Sequence, residues 1–197
     1  VDSAHYDEAP RIASTKIIVA GGFGVGKTTL VGAVSEIVPL RTEALVTTES
    51  VGVDDMDATP DKSTTTVAMD FGRITLSNDL VLYLFGTPGQ RRFWFMWDDL
   101  VRGAVGAIVI VDTARLEDSF SVVDYFEAKK LPFIVAINEF DGRHRYTPDQ
   151  IREALAISPG IPIMTIDARE RESAKQALIR VAEFALEQLG VAGHASG

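Results

Sequence analysis

One octapeptide constrains this chain more than any other feature. Gly21-Gly22-Phe23-Gly24-Val25-Gly26-Lys27-Thr28 fits the spacing G-x-x-x-x-G-K-[ST]. It follows an apolar run, Lys16–Gly21, that reads as a buried strand, and it opens a helical pattern from Lys27 to about Val38, closed by Pro39. Glycines let successive backbone N–H groups converge on phosphate oxygens, and the following helix N-terminus adds partial positive charge. In such a motif Lys27 places a cation at the outer phosphates of a nucleotide, and Thr28 offers a hydroxyl to Mg²⁺. Gly21, Phe23, Gly24, Val25, Gly26, Lys27, Thr28 and Thr29 are the candidate phosphate-binding residues. A glycine-rich turn that merely caps a helix is the plainer alternative, and the Gly-Lys-Thr ending in a strand-to-helix setting argues against it.

The rest of the chain supplies an α/β frame for this loop. Thr66–Leu76 and Leu80–Phe85 read as strands joined by the turn Ser77-Asn78-Asp79, hence an antiparallel hairpin. Gly103–Asp112 and Leu131–Asn138 are nearly uninterrupted apolar runs, suited to parallel strands covered on both faces. Helical patterns fall near Glu117–Lys130, Pro148–Ala156 and Arg169–Leu189, with a short strand at Ile161–Ile166. In the last helix Ala174, Leu178, Val181, Ala185 and Leu189 form one stripe. The expectation is a three-layer fold with a mixed six-stranded sheet and helices on both faces. Residues 16–190 form the domain, between flexible tails at 1–15 and 191–197. Leu40–Thr65 has weak periodicity and reads as a long functional loop.

Composition narrows the function classes. The 197 residues carry a formal net charge of −9, so broad nucleic-acid binding and electrostatic attachment to an anionic leaflet are not expected. With no cysteine there is no disulfide framework, thiolate metal site, cysteine nucleophile or prenylation site. The first residues have no apolar core, and Ala104–Val111 is far shorter than a membrane helix. A cytoplasmic protein without a direct membrane anchor is expected.

The apolar run ending at Asn138 continues Glu139-Phe140-Asp141, an N-x-x-D at the sheet edge where ligands of open α/β sheets bind. The Asp141 carboxylate can accept from both N1–H and the exocyclic amine of guanine, whereas adenine opposes it with a lone pair. Such mismatches of buried polar groups reject near-isosteres. A helix-capping or Asx-turn role is the alternative.

These motifs in this order resemble the Ras-like small GTPases across residues 16–190. The phosphate loop is Gly21–Thr28 and the base-specificity motif is Asn138–Asp141. Thr66, preceding Asp70-Phe71, stands for the switch I threonine, with Thr64 and Thr65 as rivals and plain strand propensity as the alternative, and Gly86-Thr87-Pro88-Gly89-Gln90 for switch II. Asp167-Ala168-Arg169 stands where the family has its Ser-Ala-Lys/Leu loop. More narrowly the chain is similar to bacterial MglA-type GTPases and to the GTP-binding component of actinobacterial conservon operons. The resemblance implies a P-loop GTPase fold and a molecular switch that binds GTP or GDP with Mg²⁺ and slowly hydrolyses GTP; a GTP-binding module with little or no hydrolysis and a P-loop ATPase or kinase are the alternatives. It implies Thr28 and Thr66 as metal ligands, and Gly89, Asn138, Asp141, Ala168 and Arg169 as nucleotide-binding residues. It implies as partners a roadblock-fold protein and a sensor kinase complex, recruiting the protein to the inner face of the membrane. Gly86 replaces the usual Asp that steadies Mg²⁺ through water, which predicts weaker Mg²⁺ dependence or a substitute ligand. Glu139 replaces a lysine whose stem packs under the base. Asp112 ends a strand like a Walker-B acid, but the resemblance places that strand away from the metal.

For catalysis, Gln90 is the candidate for orienting water and Lys27 for neutralising charge on the phosphates. Arg41 is the candidate intrinsic arginine finger, with Arg91 and Arg92 as rivals. Solvated surface arginines are the plainer reading of all three. The acids Glu43, Glu49, Asp54, Asp55 and Asp57 read as a charge-extended loop rather than a metal cluster. Phe93-Trp94-Phe95-Met96-Trp97 covers more than one helix face, so part of it is expected to meet solvent or a partner.

Overall fold

The computed structural model describes residues 13–47, 64–139 and 146–194. Among them the chain runs β1 (Ala13–Gly21), α1 (Lys27–Val34), β2 (Leu40–Thr47), β3 (Thr64–Ser77), β4 (Leu80–Gly86), α2 (Trp97–Val101), β5 (Gly106–Val111), α3 (Glu117–Lys129), β6 (Phe133–Asn138), α4 (Pro148–Ala154), β7 (Ile163–Ile166) and α5 (Arg171–His194). Two 3-10 turns, Arg91–Met96 and Thr113–Arg115, precede α2 and α3. The strands form one sheet in the order β2-β3-β4-β1-β5-β6-β7. β2–β3 and β3–β4 are antiparallel, and every other pair is parallel.

Pleating explains the two cores. Successive side chains of a strand point to opposite faces. Ile17 and Val19 thus pack with Leu30, Val31 and Val34 of α1 and with Ala174, Leu178 and Val181 of α5. Ile18 and Ala20 face Trp97 of α2, Val122, Val123 and Phe126 of α3, and Ile151 of α4. All six residues of β5 and all six of β6 are buried, as expected of parallel strands covered on both sides.

The three-layer architecture with a mixed sheet and helices on both faces is as expected, but the sheet has seven strands. The extra one is β2, inside the stretch expected as a loop. An edge strand takes its ladder from one neighbour, here Leu40↔Phe71 through Thr47↔Thr64, so it needs no apolar signature on both faces. Glu43 lies in this strand, whereas Glu49, Asp54, Asp55 and Asp57 lie outside the described residues. β1 begins at Ala13 and α5 continues to His194, each reaching into a stretch expected as a tail.

α1 stops at Val34, four residues earlier than its periodicity suggests. The Ser35 hydroxyl donates to Ile37 O (2.8 Å) and accepts from Arg73 N (3.2 Å), which turns the chain toward β3. In α5 the expected stripe is buried from Ala174 to Ala185, but Leu189 is 66% exposed. Over that span the helical period turns a side chain about 60° away from its starting direction, enough to leave the core.

Candidate functional site

The carboxyl ends of β1, β4, β5, β6 and β7 converge at one edge of the sheet, and the chain changes direction about β1, which lies between β4 and β5. Open α/β sheets form their ligand crevice at such a switch point. The glycine-rich turn follows β1 directly. Lys27, the first residue of α1, is buried and folds back to donate to Gly21 O (3.0 Å) and Gly22 O (2.6 Å). Burial lowers its pKa from 10.5 to about 8; the nearby Asp70 charge opposes this and the Arg115 charge adds to it.

The Gly86–Gln90 turn closes over this lysine. A β-carbon on Gly89 would fall 2.7 Å from Lys27 Nζ and 2.8 Å from Gly22 O, so only glycine allows this approach. Thr87 N donates to Val19 O (2.9 Å), pinning the turn to β1. Gln90 is half-buried, and its Oε1 accepts from Arg92 Nε (2.8 Å), while Arg91 donates to Ser121 on α3 (3.2 Å).

The Thr28 hydroxyl donates to Asp70 Oδ2 at 2.6 Å, an interaction spanning 42 residues. Asp70 lies on β3 directly opposite Gly86 of β4, the position where the resemblance misses a carboxylate. A β-carbon on Gly86 would lie 3.1 Å from Asp70 Cβ and 3.2 Å from its Oδ2. Asp70 therefore fills the space that a side chain at 86 would claim. A hydroxyl beside a buried carboxylate is an oxygen donor set suited to a hard cation such as Mg²⁺. Reasoning from sequence used Asp70 only as a marker beside Phe71, because strand register is not visible in one sequence. Thr66 sits within β3 opposite Leu45, four residues or about 13 Å by strand rise from Asp70. Arg41 lies in β2 opposite Asp70.

Asn138 ends β6 and is 6% exposed. Its Nδ2 donates to Val25 O (2.9 Å) and its Oδ1 accepts from Ala168 N (3.0 Å), tying the phosphate loop to the β7–α5 loop. The Ala168 N–H is thus directed at Asn138. Asp167 accepts from Arg169 N, Nε and Nη2 at 2.7–2.9 Å, which holds its carboxyl below the usual range. Asp141 lies outside the described residues. Val25 is buried, whereas Phe23 is 64% exposed, and Thr28 and Thr29 are open to solvent at the start of α1.

The aromatic run divides. Phe93 and Trp97 are buried, Trp94 stacks on Trp97 at 4.6 Å, and Phe95 is 63% exposed. Trp97 Nε1 donates to Pro88 O (3.2 Å), anchoring the Gly86–Gln90 turn to the core of the α2–α3 face. Asp112 is no metal-facing acid here: it caps the turn after β5 and pairs with Arg115 (3.3 Å).

The family model described as "conserved hypothetical ATP binding protein" matches residues 19–188. The uncharacterized protein MJ1339 of Methanocaldococcus jannaschii is 32% identical over 128 residues, covering 64% of this chain and 70% of that protein. Ras-related protein Rab-1C of Dictyostelium discoideum is 27% identical over 132 residues, covering 62% and 66%. Among solved structures the G domain of the T. maritima FeoB iron transporter superposes with a TM-score of 0.60 at 19% identity, covering 88% of this chain and 99% of that one. The chain spans 64% of the length of the whole cytosolic domain of that transporter. The fold is that of P-loop NTPase G domains. Among the described residues no helix is long and apolar enough to cross a membrane.

Proposed function

Because the chain belongs to the family described as conserved hypothetical ATP binding protein, a nucleotide site is the premise, and we propose that this site is a guanine-nucleotide switch with slow hydrolysis. The observation that carries the reading is the closure of Gly89 onto Lys27 and Gly22 O, which puts switch II where an outer phosphate is felt. Similarity to Rab-1C and the N-x-x-D after β6 support guanine. Asp141, three residues after Asn138 in the sequence, would read the base. A second reading, adenine, is favoured by the family's description. Identifying the nucleotide released when the purified protein is denatured separates the two, followed by competition of GTP against ATP. Equal competition overturns the guanine assignment. Asp141→Asn is expected to shift preference toward xanthine nucleotides.

Thr28 and Asp70 would hold Mg²⁺, and when bound the ion neutralises charge on the β- and γ-phosphates. Lys27 adds a cation at the same oxygens. Gln90 orients the attacking water once its carbonyl exchanges Arg92 for that water. Loss of the γ-phosphate releases Gly89, and the turn carries its displacement to Phe95 through Pro88 and Trp97. A partner gripping Phe95 then distinguishes nucleotide states, and the family resemblance suggests a roadblock-fold protein. Gln90→Leu is expected to slow hydrolysis with nucleotide affinity nearly intact; unchanged single-turnover phosphate release removes Gln90 from this role.

A further inference from the structure

We propose that Arg115 is a built-in catalytic cation, supplied from the turn after β5 to the oxygen bridging the β- and γ-phosphates. The proposal rests on the nucleotide reading above and adds a residue outside both switches. β5 runs beside β1, with Ile110 opposite Gly21, so the segment that leaves β5 opens next to the phosphate loop. Asp112 organises that segment. Its Oδ1 accepts from Ala114 N (2.9 Å) and its Oδ2 from Arg115 Nε (3.3 Å).

Holding the guanidinium by Nε turns its outer edge elsewhere. Arg115 Nη2 stands 3.5 Å from where a β-carbon on Gly24 would lie, so the missing side chain at Gly24 leaves the approach open. No acceptor among the described residues meets the Nη groups. Of the rival arginines in the Gly86–Gln90 region, Arg91 donates to Ser121 and Arg92 to Gln90. Arg115 and Lys27 are two cations beside one turn, a pairing that bound phosphate oxygens would neutralise.

The chemistry needs such a charge. As the water oxygen bonds to the γ-phosphorus, the bond from that phosphorus to the bridging oxygen breaks. Its electron pair stays on GDP, inorganic phosphate leaves, and the water's proton passes to phosphate or solvent. Negative charge grows on the bridging oxygen, and a guanidinium fixed in advance stabilises it without reorganising.

The test uses the full chain with wild type, Arg115→Ala and Arg115→Lys, GDP binding serving as the check that each variant folds. Wild type is expected to form a GDP–aluminium fluoride complex, a mimic of the transferring phosphoryl group, with no partner present. Arg115→Ala should lose that complex, and its single-turnover hydrolysis should slow by roughly 10²–10³-fold while GDP affinity stays within about threefold. Arg115→Lys, which keeps the charge and loses the fork, should fall between. Wild-type hydrolysis in Arg115→Ala, persistence of its fluoride complex, or failure of wild type to form one overturns the proposal. If wild type binds no GDP, the guanine reading itself falls and takes this proposal with it.

Discussion

Lys27 sets the pH behaviour of the phosphate site at the scale of single residues. Its pKa in the folded, nucleotide-free protein is about 8, below the ordinary 10.5, chiefly through burial. Between those values the unfolded chain holds a proton that the native protein lacks. Stability of the nucleotide-free protein should therefore rise with pH across that window, relieving a penalty of roughly 3 kcal/mol carried below it. Phosphate needs the ammonium form, so nucleotide affinity should fall as pH rises above 8 and binding there should take up protons. Calorimetry in two buffers of different ionisation enthalpy reads that uptake, and none at all would contradict this assignment. Asp70 supports a second prediction at this scale. Asp70→Asn should weaken Mg²⁺ retention roughly tenfold, read as loss of the Mg²⁺ effect on GDP release. Gly86→Asp alone should destabilise by about 1–3 kcal/mol, because its β-carbon meets Asp70. Combining it with Asp70→Gly returns one carboxylate to the same space from the opposite strand and should restore the Mg²⁺ effect. Failure of the pair to recover it, with both variants folded, would leave Asp70 without this role.

At the scale of elements, the segment after β4 combines a buried end at Trp97 with an exposed residue at Phe95. Trp97 is buried against Tyr125 and Phe126 of α3, with ring centroids 5.1 and 5.9 Å away. Asp98 receives Lys129 Nζ and Tyr125 Oη, both at 2.8 Å, across the same helix pair. Trp97→Ala should cost about 3–5 kcal/mol by chemical denaturation. Phe95→Ala should change stability by no more than about 0.5 kcal/mol, yet weaken binding of a partner that prefers one nucleotide state. Calorimetry against a roadblock-fold protein, with GDP and with a non-hydrolysable GTP analogue, tests the latter; equal affinities in both states argue against a switch. Legibility in the sequence follows the same division. The apolar runs of β5 and β6 and the glycine turn were readable because burial on two faces and phosphate geometry each demand specific residue types. β2 was not, since its ladder is made by backbone groups of any sequence. Nor could periodicity sort Phe93–Trp97, where a 3-10 turn runs into a short α-helix and the period changes midway.

At the scale of the whole molecule, the site draws on loops at the carboxyl ends of five parallel strands. Asn138 is the cross-tie, because one side chain holds Val25 of the phosphate loop and Ala168 of the β7–α5 loop. From sequence it is expected as a nucleotide-binding residue; its bracing role emerges only when β6 is placed between β5 and β7. With both amide bonds buried, Asn138→Ala leaves a carbonyl and an N–H unpaired and should destabilise the nucleotide-free protein by about 2–3 kcal/mol. A bound nucleotide stabilises the native state in proportion to the logarithm of its occupancy. Here the bracing predicts more than a uniform rise in stability. In wild type, GDP bound at the phosphate loop should slow amide exchange in the β7–α5 loop as well, at Ala168 and Arg169. In Asn138→Ala, protection should remain around Gly21–Thr28 and be lost at that distant loop. Hydrogen exchange with and without GDP, at concentrations that saturate both proteins, measures this. Equal protection of the β7–α5 loop in the two proteins would mean that the base side of the site is ordered by the nucleotide directly, and that Asn138 transmits nothing.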